Sequence, residues 1–229
     1  MRRLRLAVGS WFGSLSGLPS IGLMQERAYA LNSDWEMANT NDQIAWEDDP
    51  FQARIIEAGS SFEIDEAAGF AKYLQLAEQG SAFCMGRVAW SYYTGRGVLI
   101  DRSKAVDWYR RGFEAGCTSD LLIYGKLLID RQDFAGAETV FKNGAADGWP
   151  PAQFWLAWLW LRRETTPNSL RQIRPLLEQA AVKGSPAARW VLAYNRARGQ
   201  FGLSEIAAGI RALIAFNAQV LDGARAASQ

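Results

Sequence analysis

The chain has 229 residues, 49% of them hydrophobic, and a formal net charge of +1, so it can build a sizeable core but carries no strong field for nucleic acid or an acidic partner. It contains no histidine, which excludes histidine general bases, Ser-His-Asp and Cys-His nucleophile systems and histidine-ligated metals. Its two cysteines, Cys84 and Cys117, are too few for a Cys-rich metal site and match no CxxC spacing; they are expected as buried thiols, with a bridge as the alternative in an oxidising compartment.

Arg2, Arg3 and Arg5 precede nineteen uncharged residues, Leu6 to Met24. Two readings stand. One is a signal peptide or short anchor, with a small-x-small cleavage pattern at Ala28-Tyr29-Ala30 and an exported or periplasmic location. The other is a docking arm on protein or a membrane surface, which makes the protein cytoplasmic or membrane-peripheral and allows membrane association through residues 1–24. Nine of the nineteen residues are Gly, Ser or Pro, which favours the arm. Residues 33–50 follow with six acidic side chains and no basic one, as expected of a solvated linker or a first helix. The organisation is therefore an N-terminal extension over 1–45, a repeat region over 46–220 and a tail over 221–229.

From residue 51 onward the pattern is helical, each helix closed by a glycine, with no strand-like alternation. In "YYTGRGVLIDRSKAVDWYRRGFEAG", residues 92–116, Gly95 is expected to stop a helix in the left-handed conformation and Gly97 to allow a second sharp turn. Asp101 suits the N-cap of the next helix. Ala105, Trp108, Tyr109, Gly112 and Phe113 then share one face. The terminal glycine recurs as Gly80, Gly116, Gly148 and Gly184, at separations of 36, 32 and 36 residues. Four residues after it comes a small residue in three copies (Cys84, Ala152, Ala188) and Asp120 in the other. Eight residues after it comes a large apolar one (Val88, Tyr124, Leu156, Leu192), followed each time by a small one (Ala89, Gly125, Ala157, Ala193). Asp65 and Asp133 occupy the cap position of Asp101 in two further copies.

The run Tyr92, Gly95, Gly97, Val98, Asp101, Lys104, Ala105, Trp108 and Tyr109 resembles the Sel-one-like repeat, a tetratricopeptide relative with a period near 36 residues. The match is complete in this copy and degenerate in the others. The 117–148 copy has lost four residues, consistent with deletion of the Gly-x-Gly loop. The resemblance covers about residues 46–220. It implies an all-α, right-handed α-solenoid of about five antiparallel helix pairs, with first helices on the concave side and no catalytic residues of its own.

By that pattern, the first-helix positions outside the packing seam face the groove. The candidate partner-binding residues are Phe83, Trp90, Tyr93, Lys126, Phe154, Trp158, Arg162, Trp190, Tyr194 and Arg198. Gly86, Thr94, Ser119, Leu122, Ile129, Asp130, Pro151, Leu161, Ala187 and Ala197 complete the set. Trp90, Trp158 and Tyr194 share one repeat position, which Lys126 fills in the remaining copy. Aromatic side chains bury much area at low entropic cost, so an apolar or helical partner segment is the expected ligand, with Arg162 and Arg198 clamping acidic groups. The competing reading is that this stripe is ordinary core, or is filled by residues 6–24. No phosphate loop or carboxylate pair argues for an enzyme, and no cofactor, metal or nucleic acid is implied. The functional expectation is a non-enzymatic protein-interaction scaffold. The alternative is an envelope-located repeat protein supporting polysaccharide or secretion machinery, with glycan binding on the aromatics. Arginine in preference to lysine, with abundant alanine, points to a GC-rich bacterial genome.

Overall fold

A computed structural model describes residues 32–38, 49–118, 120–163 and 166–226; side chains are described up to residue 219. The apolar stretch 6–24, the cleavage pattern at Ala30 and Ser119 lie outside these. Ten helices of ten residues or more are present among the described residues, with no strand. None of them is long and apolar enough to cross a membrane.

The chain divides into two compact units. The described part of the first, residues 49–152, contains α1 (Gln52–Ile64), α2 (Glu66–Glu78), α3 (Ala82–Thr94), α4 (Arg102–Glu114), α5 (Leu121–Asp130) and α6 (Phe134–Ala146). The second contains α7 (Pro150–Arg163) from Gln153 onward, α8 (Pro167–Val182), α9 (Pro186–Ala197), a 3-10 turn (Leu203–Glu205) and α10 (Ile206–Ala226), together with a helical segment over 32–38. Consecutive helices pack in pairs: α1 on α2, α3 on α4 and α5 on α6 in the first unit, α8 on α9 and α9 on α10 in the second. α10 continues to Ala226, into the stretch expected as a tail.

One backbone device generates the repeat. Gly80, Gly116, Gly148 and Gly184 have φ of 103°, 88°, 75° and 99°. In each case the N–H of the next residue donates to the carbonyl five residues earlier: Ser81 to Leu76, Cys117 to Gly112, Trp149 to Gly144 and Ser185 to Ala180. This six-to-one bond ends a helix by satisfying a carbonyl that would otherwise be orphaned. The short 117–148 copy departs in two ways. Asp120, which stands where the other copies have a small residue, lies just outside its helix with φ 59°, and α5 begins three residues later than its counterparts relative to the preceding glycine. The α5–α6 turn is only three residues long, and Gln132, a non-glycine, takes the left-handed position with φ 63°.

The opposite ends are capped by side chains. Asp65 accepts from the backbone N–H groups of Ala67 and Ala68, Asp101 from Ser103 and Lys104, and Asp133 from Gly136. Ser81 and Ser185 cap α3 and α9 through Cys84 and Ala188, and Pro167 and Pro186 open α8 and α9 where a missing N–H is harmless. The Lys104 backbone N–H holds the Asp101 carboxyl below the usual carboxylate range. A depressed folded pKa contributes stability that is fully present above the unfolded value near ~3.9 and is lost as pH falls through the folded one. Asp101→Ala is therefore expected to lower the melting temperature at neutral pH. Its deficit relative to wild type should shrink in melts carried down to about pH 2.5. A deficit that does not change with pH would show that Asp101 does not act as a charged cap.

Between these ends the seam residues are core. Cys84, Val88, Ala89, Ala105, Ala152, Ala157 and Ala188 are fully buried, and Tyr124, Leu156, Leu192 and Ala193 nearly so. Tyr109 stacks on Tyr124 at 5.9 Å between ring centroids, joining α4 to α5. Glycines keep helices close. A Cβ on Gly125 would enter the Phe141 ring of α6, and one on Gly69 would meet the Phe62 backbone of α1. The two cysteines are not joined in a disulfide. Cys84 is buried, and desolvation raises its thiol to about 11; Cys117 is only half-buried, against the expectation of two buried thiols.

Candidate functional site

In the first unit the expected groove residues Phe83, Trp90, Tyr93 and Lys126 are all half-buried, so each presents part of its surface. Thr94 and Asp130 are exposed, whereas Gly86 and Ile129 are buried. Trp90 on α3 is the centre of a cluster. Its ring lies 6.3 Å from that of Phe62 on α1. The Arg87 guanidinium, one turn earlier on α3, sits 4.7 Å from the Trp90 ring centroid and 5.7 Å from that of Tyr73. Arg96, between the two loop glycines, reaches back to within 5.2 Å of Trp90 and 5.1 Å of Phe62, and it pairs with Glu66 at the start of α2. An indole held by two guanidinium groups is attracted through its ring quadrupole, and each stem adds apolar contact.

In the second unit the expected aromatics pack inward. Phe154 is 0% exposed, Trp158 4%, Trp190 7% and Tyr194 9%. Pro151 lies in α7 and Ala187 in α9, and both are buried too. Trp155 is 0% exposed and meets Phe154 and Trp158 edge-on at 5.3 and 5.4 Å. Trp190 and Tyr194 stack within α9 at 5.2 Å. These rings are core first; they are not the open apolar floor that the repeat position suggested. What remains outside is the charge upon them. Arg162 and Arg198 are exposed, and each lies 5.6 Å over the ring one turn before it, Trp158 and Tyr194. Arg198 Nη1 also donates to the Tyr194 hydroxyl at 3.4 Å.

The recurring unit is therefore an aromatic at one repeat position with arginine laid over it. Trp90 has Arg87 and Arg96, Trp158 has Arg162, and Tyr194 has Arg198. The planar fork of arginine leaves N–H donors pointing outward while its face covers the ring, which suits carboxylate recognition. Arg87 and Arg96 were missed in the sequence. Their signals were present: Arg87 lies three residues before Trp90 on the same helix, and Arg96 is the middle residue of the Gly-Arg-Gly loop.

One residue of the acidic stretch is not solvated. Glu36, expected in a solvated linker or a first helix, lies in a helical segment and is 2% exposed. Its Oε1 accepts from Trp155 Nε1 at 2.6 Å. Among the described residues no group of three or more Cys, Asp or Glu side chains could hold a metal ion.

No family model matches the chain, and no curated protein matches it. Solved structures do. The chain is similar to c5321, a protective antigen of uropathogenic Escherichia coli with an SLR fold, at a TM-score of 0.60 and 22% identity over 71% of this chain. It spans 38% of the length of that protein. It is also similar to a Sel1 repeat protein from Oxalobacter formigenes, at a TM-score of 0.62 and 16% identity, covering 87% of this chain and 83% of the other. With the repeated glycine stop, the side-chain caps and the consecutive helix pairs, these likenesses show that the chain has the all-α Sel-one-like repeat fold.

Proposed function

We propose that the chain is a non-enzymatic scaffold that takes up a segment of a partner protein on the first-helix faces of its repeats. The observation that carries this is the recurrence of arginine over an aromatic at one repeat position: Trp90, Trp158 and Tyr194. Repeat folds of this kind present extended surfaces built from equivalent positions of successive helices, and arginine and aromatic residues dominate protein interfaces. The arginines favour a partner segment with acidic side chains set among apolar ones. Each unit has such a surface of its own: half-buried Phe83, Trp90 and Tyr93 beside Arg87 and Arg96 in the first, and exposed Arg162 and Arg198 over Trp158 and Tyr194 in the second.

Burial dictates the test. Alanine at Trp158 or Tyr194 would open cavities in the core and confuse binding with folding. Glutamine at Arg87, Arg96, Arg162 and Arg198 keeps most of the apolar stem and removes the cation. Capture from native cells, with wild type beside this fourfold variant, should identify a partner whose affinity falls at least about tenfold in the variant and weakens with salt. Circular dichroism should show unchanged helix content. A partner held equally well by a folded fourfold variant would rule out the arginine-capped aromatics as the binding surface.

A further inference from the structure

The second unit holds a short stretch of this same chain in the manner of a bound peptide. Residues 32–38 are helical throughout. The segment is held along one face, at positions i, i+3 and i+4. Asn32 Oδ1 accepts from the Ser185 hydroxyl at 3.0 Å and from the Ala187 backbone N–H at 3.1 Å. Trp35 Nε1 donates to the Lys183 carbonyl at 2.9 Å, its indole lying against Gly184. Glu36 Oε1 accepts from Trp155 Nε1. Ser33, Asp34 and Met37 point to solvent.

The receiving face therefore offers three hydrogen-bond donors, one carbonyl and the first turn of α9. Donors at a helix N-terminus favour an anion. The occupant meets that demand only in part. Ala187 N–H can only donate, so the oxygen of the Asn32 amide must face it, and the amide nitrogen is turned away. Asn32 is 0% exposed, and among the described residues its Nδ2 has no hydrogen-bond partner. A carboxylate in the same place would accept both bonds and leave no orphaned donor.

The first unit pairs the equivalent serine with a carboxylate. Gly80-Ser81 opens α3 as Gly184-Ser185 opens α9, each serine capping its helix. There the outward hydroxyl bond goes to a carboxylate: Ser81 Oγ donates to Asp49 Oδ2 at 2.7 Å, while Asp49 Oδ1 accepts from Phe51 N–H. Equivalent turns thus hold equivalent acceptors, aspartate in one unit and asparagine in the other.

We propose that the face formed by Trp155, Lys183, Ser185 and Ala187 is a recognition site for a short helical segment carrying carboxylates four residues apart, with residues 32–38 as its exchangeable in-chain occupant. The ligand it fits best is an acidic segment of a partner protein with the pattern Asp-x-x-Trp-Glu, which keeps every contact of Asn32, Trp35 and Glu36 and adds the missing acceptor. This face shares no residue with the arginine-capped aromatics, although Trp155 packs edge-on against Trp158.

The test uses full-length chain. Asn32→Ala/Glu36→Ala should loosen the occupant and expose the face. A fluorescein-labelled peptide of residues 28–42 with Asn32→Asp should bind this variant at least about tenfold more tightly than the unaltered peptide, the expected gain for a charge-assisted bond with no orphaned donor. Wild-type chain should bind it at least about tenfold more weakly than the variant, because its site is filled. Adding Ser185→Ala to the variant should abolish the preference for aspartate. Absence of saturable binding to the folded variant, or equal affinity for the two peptides, would overturn the proposal. A second measurement needs no loosened chain. Asn32→Asp in the otherwise wild-type protein should slow hydrogen exchange at the amides of residues 36–38, and unchanged or faster exchange would contradict the carboxylate preference.

Discussion

Gly97→Ala is expected to destabilise the first unit by about 3–4 kcal/mol, and Gly95→Ala by about 1–2 kcal/mol, although the two glycines share one loop and one backbone conformation. Their φ values are 73° and 80°, so each variant bears the left-handed strain of a Cβ, about 1 kcal/mol. The difference lies in what the new methyl group meets. At Gly95 it would lie 2.7 Å from Cγ1 of Ile100, the side chain of a loop residue that is 65% exposed and free to swing away. At Gly97 it would land on the backbone carbonyl of Glu66, with Phe70 Cβ behind it at 2.9 Å. Backbone at the start of α2 cannot move without disturbing the Asp65 cap and the Arg96–Glu66 pair. The loop must lift instead, carrying Arg96 away from Trp90. Urea unfolding of both variants with unchanged m-values would separate the two effects. Equal midpoints would mean that strain alone governs both positions and that the close approach to α2 contributes nothing.

That contrast also marks how far the sequence could be read. Gly95, Gly97 and Asp101 were legible as helix stop, turn and cap because each is a local requirement: a positive φ, a sharp reversal, an acceptor for free N–H groups. The seam Cys84, Val88 and Ala89 was legible because helical spacing places residues on a face wherever the helix sits. The purpose of Gly97 was less visible, since Glu66 lies some thirty residues earlier and no periodicity links them. The same limit explains the candidate site. The repeat pattern assigns Phe154, Trp158, Trp190 and Tyr194 to first-helix positions, but it does not say how deeply those positions are buried. Residues 32–38 lie on the second unit through bonds spanning 119 to 155 positions in sequence, and no local rule announces contacts of that separation. Arginines, by contrast, are free to lie over any neighbouring ring, and only geometry selected Arg87 over Trp90 and Arg162 over Trp158.

Trp155 joins the packing of the second unit to its buried acid, so two substitutions there should part company in a measurable way. Trp155→Ala removes a fully buried indole that meets Phe154 and Trp158, and it should cost about 3–5 kcal/mol through the cavity it leaves. Trp155→Phe keeps most of that apolar volume. Its main loss is the Nε1–H that donates to Glu36, a carboxylate only 2% exposed, and a charge-assisted bond of this kind is worth about 1.5–3 kcal/mol. The two mechanisms separate in a double-mutant cycle with Glu36→Gln. A glutamine can still accept from an indole, but it is uncharged, so it tolerates the loss of a donor far better than a carboxylate does. Trp155→Phe should therefore cost about 1 kcal/mol or more less in the Glu36→Gln background than in wild type, a coupling well outside the error of denaturant melts. Trp155→Ala should remain severe in both backgrounds, because the void persists whatever stands at position 36. If Trp155→Phe were equally costly with and without the carboxylate, the indole would act by shape alone, and the bond between segment 32–38 and α7 would contribute nothing to holding that segment in place.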